Sequence, residues 1–243
     1  TQANTFRQQR KSHVVAVGSA GSYTGCTVLA MNLAMELSVL DKSTLLIEAN
    51  FRAPSVAAYL AMRNIKGEGG WKTIAPKLSL AEVDQERAHE IDDVMARATS
   101  EFDYIIVDLG SISGLSNRLT DRRWTSTMTT WCCDQADELM IISRADQLGH
   151  HRLNQVIDLL QQTSIRAKLS FVLNMKVAGK RGDAAETKFL TSVTPLKPVR
   201  IRSIAHDPRA ISAAIEEHAT LIEINERSNM RKSIAELARE LKS

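Results

Sequence analysis

Short runs of consecutive apolar residues alternate along this chain with stretches in which apolar positions recur every three or four residues. Residues 13–17 (HVVAV) form such a run and stop at Gly18-Ser19-Ala20-Gly21-Ser22. Beyond Gly25 the spacing turns helical, with Val28, Leu29, Ala30, Leu33, Ala34 and Leu37 on a 3.6-residue period. Further runs predict strands at 44–48, 104–108, 138–143, 169–174 and 199–204. Helices are expected at 54–62, where Pro54 suits a first turn, and at 81–99, from about 125 onward, at 149–162, 208–217 and 229–242. Residues 66–77, with glycines, Trp71 and Pro76, read as loop with at most one edge strand. Residues 111–124 read as an Arg-rich loop and 176–183 as a basic, glycine-containing one. Apolar strands separated by helices predict an α/β fold: a mostly parallel sheet of about seven strands with helices on both faces. Ligands of such folds bind beyond the carboxyl ends of the strands, which directs attention to residues 18–27, 48–52, 108–111, 144–147 and 174–176.

Composition narrows the class without naming a chemistry. The 243 residues are 44 % hydrophobic and 24 % charged, which excludes a disordered tail or a coiled-coil rod. No apolar run approaches the ~18 residues needed to cross a bilayer. Thirty-one Lys+Arg against 28 Asp+Glu gives +3, too little to indicate a nucleic-acid binder by itself. Three cysteines, Cys26, Cys132 and Cys133, cannot build a disulfide framework, so a reducing, cytoplasmic setting is expected. The chain starts at Thr1 and reads as a piece of a longer protein, with 1–12 an extension or linker and 13–243 one domain.

A strand, a Gly/Ser loop and a helix together make an anion site, because bare N–H groups and a helix N-terminus converge there. Two chemistries use it. In a dinucleotide site Gly18, Gly21 and Gly25 form the turn, and Glu48 at the end of the second strand holds a ribose hydroxyl. Against it, none of Tyr23, Tyr59 and Tyr104 has a lysine four residues on, as a short-chain dehydrogenase would need. In a phosphate loop, Gly25-Cys26-Thr27 stands where a mononucleotide site has Gly-Lys-Thr, Thr27 offers its hydroxyl to Mg²⁺, and Asp108 is the metal's acid. A glycine loop that merely turns the chain is the third reading.

Several motifs in order resemble the ParA/MinD-type ATPases. Thr27-Val28-Leu29-Ala30-Met31-Asn32-Leu33-Ala34 looks like the helix after that family's deviant phosphate loop. Leu45-Leu46-Ile47-Glu48-Ala49-Asn50-Phe51-Arg52-Ala53-Pro54-Ser55 resembles its second-strand motif, and Phe102-Asp103-Tyr104-Ile105-Ile106-Val107-Asp108 its Walker B strand. Residues 136–142 resemble the next strand, Phe171-Val172-Leu173-Asn174 the one ending in an adenine-contacting Asn, and His206-Asp207-Pro208-Arg209-Ala210 the last loop. The resemblance runs from 14 to 240 and looks closest to actinobacterial relatives of the pilus-assembly protein CpaE and the septum-site proteins, in which an Arg-rich segment like Asp121-Arg122-Arg123 follows Walker B.

What the resemblance implies is a P-loop NTPase fold. Its nucleotide site is formed by Gly21, Ser22, Gly25, Cys26, Thr27 and Asn174, with Thr27 and Asp108 at Mg²⁺ and Asn50 at the water-activating position. The chemistry-bearing positions depart from the family. Its two loop lysines correspond to Gly21 and Cys26, its first loop glycine to Ala20, and its Asp-x-Asp to Glu48 and Asn50. A charged hydrogen bond is worth ~1.5–3 kcal/mol, so losing two weakens ATP by a factor on the order of 10² to 10⁴. Asn50 can hold a water but cannot take its proton. The resemblance therefore implies a pseudo-ATPase that binds ATP or ADP with Mg²⁺ weakly and positions a pilus, septum or chromosome complex as a homodimer. The alternatives are an interaction scaffold that binds no nucleotide and an NAD(P)-binding protein. A receiver-like domain is expected before Thr1, as in the CpaE-like relatives.

Partner signals are weaker. Arg118, Arg122, Arg123, Lys180, Arg181, Arg200 and Arg202 form a candidate DNA patch, but no aromatic residues are interleaved with them and DNA is not favoured. The final helix carries Met230, Ile234, Leu237, Ala238 and Leu241 on one face, which in the MinD branch would suggest membrane binding. With no Trp or Phe, and with Glu236 and Glu240 present, that face is expected to pack on its own domain.

Overall fold

A strand covered on both faces needs apolar side chains at successive positions, and the apolar runs form the strands of one such sheet. The structure is a computed structural model and describes residues 10–50, 54–62, 70–83, 88–112 and 124–242. In chain order the elements are β1 (His13–Ser19), α1 (Cys26–Val39), β2 (Thr44–Glu48), α2 (Val56–Tyr59), β3 (Lys72–Ala75), β4 (Leu78–Glu82), α3 (Ile91–Glu101) and β5 (Tyr104–Ser111). They continue with α4 (Trp124–Gln135), β6 (Glu138–Arg144), α5 (Gln147–Gln162), β7 (Lys168–Lys176), α6 (Lys180–Val193), β8 (Arg200–Ala205), α7 (Pro208–Glu216), α8 (Leu221–Ile224) and α9 (Asn229–Lys242). The sheet has eight strands in the order β3-β4-β2-β5-β1-β6-β7-β8, parallel except for the β3–β4 pair.

Strand alternation divides the core in two. Val14 and Ala16, Ile105 and Val107, and Leu139 and Ile141 face a layer that includes Met95, Trp131, Leu153, Val156 and Phe189 from α3–α6. Val15 and Val17, Ile106, and Met140 and Ile142 face α1 and the C-terminal helices, through Leu29, Leu33, Leu37, Ala210, Ile234 and Leu237. Helix α1 is therefore buried nearly all round and lies between the sheet and α9. The α9 face of Met230, Ile234, Leu237, Ala238 and Leu241 is buried in this layer, so its apolar stripe is used within the domain.

Three expectations need correction. The one edge strand allowed within 66–77 is β3, but the residues that follow it form a further strand, β4, which pairs with β3 and with β2 (Thr44 with Leu78) and makes eight strands rather than about seven. The helix expected over 81–99 begins only at Ile91, because Leu80 and Ala81 are strand residues facing opposite core layers. Residues 180–193 form a full helix where the sequence predicts a basic loop running to 183. Only Gly182, Phe189 and Val193 of it are buried, and its first turn, Lys180-Arg181-Gly182-Asp183, has the composition of a loop. Among the implied positions, residues 51–53, the Arg-rich segment around 118–123 and part of the extension (1–9) lie outside the described residues.

Candidate nucleotide site

The ends of β1, β5 and β7 bring the implied residues to one edge of the sheet. The glycine loop is tied down from within: the Thr24 hydroxyl donates to Ser19 Oγ at 2.8 Å, the Gly21 N–H donates to the same oxygen at 3.1 Å, and the Ser19 hydroxyl donates back to the Gly21 carbonyl. Ser22 and Tyr23 stand out at the tip, Tyr23 86 % exposed and left-handed (φ 58°). Gly25 caps α1 at φ 77°, a conformation that a side chain would strain, and a Cβ there would lie 2.7 Å from Asn174 Nδ2. The first turn of α1 has neither a side-chain cap nor an acidic residue, so its positive end faces the loop unneutralised.

Asp108 sits at the floor. The β1–β5 register slips between Val17 and Gly18, a bulge that re-aims the end of β5 just at Asp108–Gly110. Its Oδ1 accepts from the Gly110 N–H at 3.0 Å and from the Cys26 thiol at 3.3 Å. The other oxygen, Oδ2, is buried with no hydrogen-bond partner. Burial pushes the Asp108 carboxyl above the ordinary aspartate range, and the Thr27 hydroxyl, the Gly110 N–H and the Cys26 thiol pull it back only in part. A leftover carboxylate oxygen beside a threonine hydroxyl fits the acid and hydroxyl of a Mg²⁺ site. Among the described residues no group of three or more His, Cys, Asp or Glu could hold a metal alone, so an ion here would rely on water and ligand oxygens.

The phosphate half fits less well. Cys26 is buried and its Sγ points inward, to Asp108 and to the Val17 carbonyl at 3.5 Å. Burial, followed by the Asp108 charge, holds that thiol well above the usual range, so position 26 carries no charge of either sign at neutral pH. Asn174, 1 % exposed, is placed beneath the loop: Nδ2 donates to the Thr24 carbonyl at 2.7 Å and Oδ1 accepts from the Met175 N–H at 2.9 Å. The amide nitrogen thus braces the loop, while the amide oxygen is held by its own strand. Asn50 packs over Gly110 (φ 61°), where a Cβ would lie 2.5 Å from its Cγ, two residues from Asp108. Glu48 pairs in register with Asp108 but turns away, accepting from the Val56 N–H at 2.9 Å and from the Ser55 N–H at the start of α2. It is 1 % exposed, which closes it to a ribose and removes the residue that the dinucleotide reading needed.

No sequence signal points to Arg152. It lies on α5, within an ordinary amphipathic pattern, yet its stem crosses Gly21 closely enough that a Cβ there would be 2.5 Å from Arg152 Cδ. The brace from Ser19 and Thr24 is equally hidden, because small polar residues in a glycine loop look like turn formers.

The buried acids give a pH prediction. Burial raises both Glu48 and Asp108. A carboxyl whose folded pKa is raised stabilises the fold most below its unfolded pKa, and that contribution is lost as pH rises through the folded value. Denaturant midpoints should therefore fall on going from the ordinary carboxylate range toward neutrality. Asp108→Asn and Glu48→Gln should each flatten that slope. A slope unchanged in both variants would show that neither acid is perturbed.

No protein-family model matches the chain, and no curated protein matches it. Solved structures do. The chain is 20 % identical to a ParA family ATPase from Chlorobium tepidum TLS, with a TM-score of 0.66 over 94 % of this chain and 98 % of that one. Against the septum site-determining protein MinD from Pyrococcus horikoshii OT3, complexed with Mg-ADP, identity is 14 % and the TM-score 0.71 over 96 % of each. Against the ATP complex of a single-residue variant of McdA from Cyanothece, identity is 17 % and the TM-score 0.71 over 96 % of this chain and 97 % of that one. At such identities the likeness is one of architecture: this chain has the three-layer α/β fold of the solved ParA- and MinD-type ATPases.

Proposed function

We propose that the chain is a ParA/MinD-family protein that positions a cellular complex as a homodimer. In this reading it holds ATP or ADP with Mg²⁺ weakly and hydrolyses ATP little or not at all. The observation that carries the reading is the division of the site into two unequal halves. Asp108, with one oxygen unpartnered beside Thr27, keeps what a metal needs, while Gly21 and Cys26 bring no charge to a phosphate. The structures of MinD with Mg-ADP and of the McdA variant with ATP, which share the fold, support nucleotide as the ligand class. A MinC:MinD complex from Aquifex aeolicus supports a protein partner of the division type; a CpaE-like pilus partner rests on the sequence resemblance alone. In this reading the protein is cytoplasmic, and 13–243 acts as one domain.

When bound, the metal would offset phosphate charge; the chain's own residues then do the rest. Asp108 and Thr27 would hold the ion's water shell, the N–H groups from Ser22 to Thr27 would receive phosphate oxygens, and Asn174 would keep the loop in shape rather than touch a base. DNA fits this surface poorly. Arg200 pairs with Glu138 and Glu240, and Arg202 with Glu240, so two members of the candidate patch are already neutralised.

A scaffold that binds no nucleotide is the second reading, favoured by the inward-turned Cys26 and by Asn174, whose amide is already bonded at each end. Isothermal titration with ATP, ADP and NADPH, each with Mg²⁺, separates the readings. Weak, Mg²⁺-dependent heat with ATP and ADP, and none with NADPH, is expected. Silence with all three would establish the scaffold, and heat with NADPH alone would overturn the family assignment.

A further inference from the structure

We propose that Arg152 supplies the positive charge that the loop itself lacks, gripping an oligophosphate from the side of α5. The contact at Gly21 is the first observation. A Cβ built on Gly21 would lie 2.5 Å from Arg152 Cδ, 2.9 Å from Nη1 and 3.3 Å from Nε, so the guanidinium and its stem lie directly on the loop backbone. Position 21 is one of the two places where the resembling family has a lysine, and here a side chain would have to push Arg152 aside. The absence of a side chain at 21 and the presence of Arg152 are thus one arrangement: the cation has moved from the loop to the neighbouring helix.

The second observation is that Arg152 is uncommitted among the described residues. Among the described residues it makes no hydrogen bond or ion pair, whereas nearby Arg144 is paired with Asp146 at 2.5 Å. The third is space. A cavity of about 450 Å³ opens at Ala20, Gly21, Ser22 and Arg152 and continues along α5 past Gln155 to Asp158. Asp158 lies six positions after Arg152, roughly 9 Å along the helix axis, so the arginine end and the acidic end are distinct and the loop adjoins the arginine. A guanidinium offers paired N–H donors matched to phosphate oxygens, which Cys26 cannot. The ligand class is a di- or triphosphate, as free polyphosphate or on a nucleoside.

This inference rests on the nucleotide reading of the loop, and the test separates the two. Binding of Mg-ADP and of inorganic tripolyphosphate would be measured by titration for the native chain, Arg152→Ala, Arg152→Gln, Arg152→Lys and, as an exposed control on α6, Lys188→Ala. Ligand-free melting would be followed for each. Loss of one charged contact should weaken both ligands about ten- to a hundred-fold in the Ala and Gln variants. The Lys variant should keep most of the affinity, and Lys188→Ala should match the native chain. Binding of both ligands at native strength by whichever of the Ala and Gln variants melts like the native chain would overturn the role of Arg152 and leave the nucleotide reading standing. Arg152-dependent binding of tripolyphosphate without any binding of ADP would do the reverse. If the native chain binds neither ligand, both proposals fall.

Discussion

Saturating Mg²⁺-ATP should release phosphate no faster with the native chain than with its Asp108→Ala variant. Hydrolysis needs a gripped γ-phosphate, a metal and an oriented water, and electrostatic clamps on the transferring group are commonly worth several kcal/mol. Position 26 turns a neutral thiol toward Asp108, and position 50 packs a neutral amide over Gly110, so neither a loop cation nor a carboxylate base is in place. Arg152 can hold charge at Gly21, but it does not replace a base for water. Restoring one group alone should change little, because groups that act as a unit are strongly non-additive. In Cys26→Lys with Asn50→Asp, binding should recover first and slow turnover second. Phosphate release by the native chain well above the Asp108→Ala level would mean that other charges already complete the site.

Arg231→Ala should cost the fold about 3 kcal/mol, at the lower end of what removing one partner of a buried ion pair costs, since Arg231 retains some contact with solvent. Its Nε and Nη2 donate to the two Glu36 oxygens at 2.5 and 2.9 Å, and that carboxylate lies on α1 with only 5 % of its side chain exposed. The pair therefore fastens α9 to the helix that carries the glycine loop. For a chain of this size the loss corresponds to a fall of roughly 6–12 °C in Tm. Replacing both residues together, as Glu36→Leu with Arg231→Leu, should recover most of it, because no charge is then left buried without a partner. A single variant within about 0.5 kcal/mol of the native chain would show that solvent reaches Glu36 freely.

Both outcomes turn on residues whose roles are legible to different degrees. The parallel sheet, its central strands and the place of the loop can be read directly, because consecutive apolar residues are the local mark of a strand buried on both faces. The 44–48 and 104–108 runs are β2 and the start of β5, with Glu48 and Asp108 in register at their ends. The burial of the α9 stripe is equally readable, since one apolar face at helical spacing must be covered. Helix α6 is not, because only three of its residues are buried and the rest face water to a greater degree. Nor is β4, a five-residue strand that directly follows the turn at 76–77.

Within the site, local pattern is enough to say which residues arrive at the sheet edge: Gly21, Gly25, Cys26, Thr27, Asp108 and Asn174 each follow or end a strand, or start α1. What each one touches depends on segments far away in the chain. Asn174 reaches back 150 residues to the Thr24 carbonyl and braces the loop, Glu48 turns aside to cap α2, and Arg152 crosses Gly21 from a separate helix. The physical reason is one of range. Periodicity records which face of an element is buried, since burial acts on every turn of the same element. A single hydrogen bond or charge between distant segments repeats nowhere along the chain, so it has no period and leaves no pattern to read.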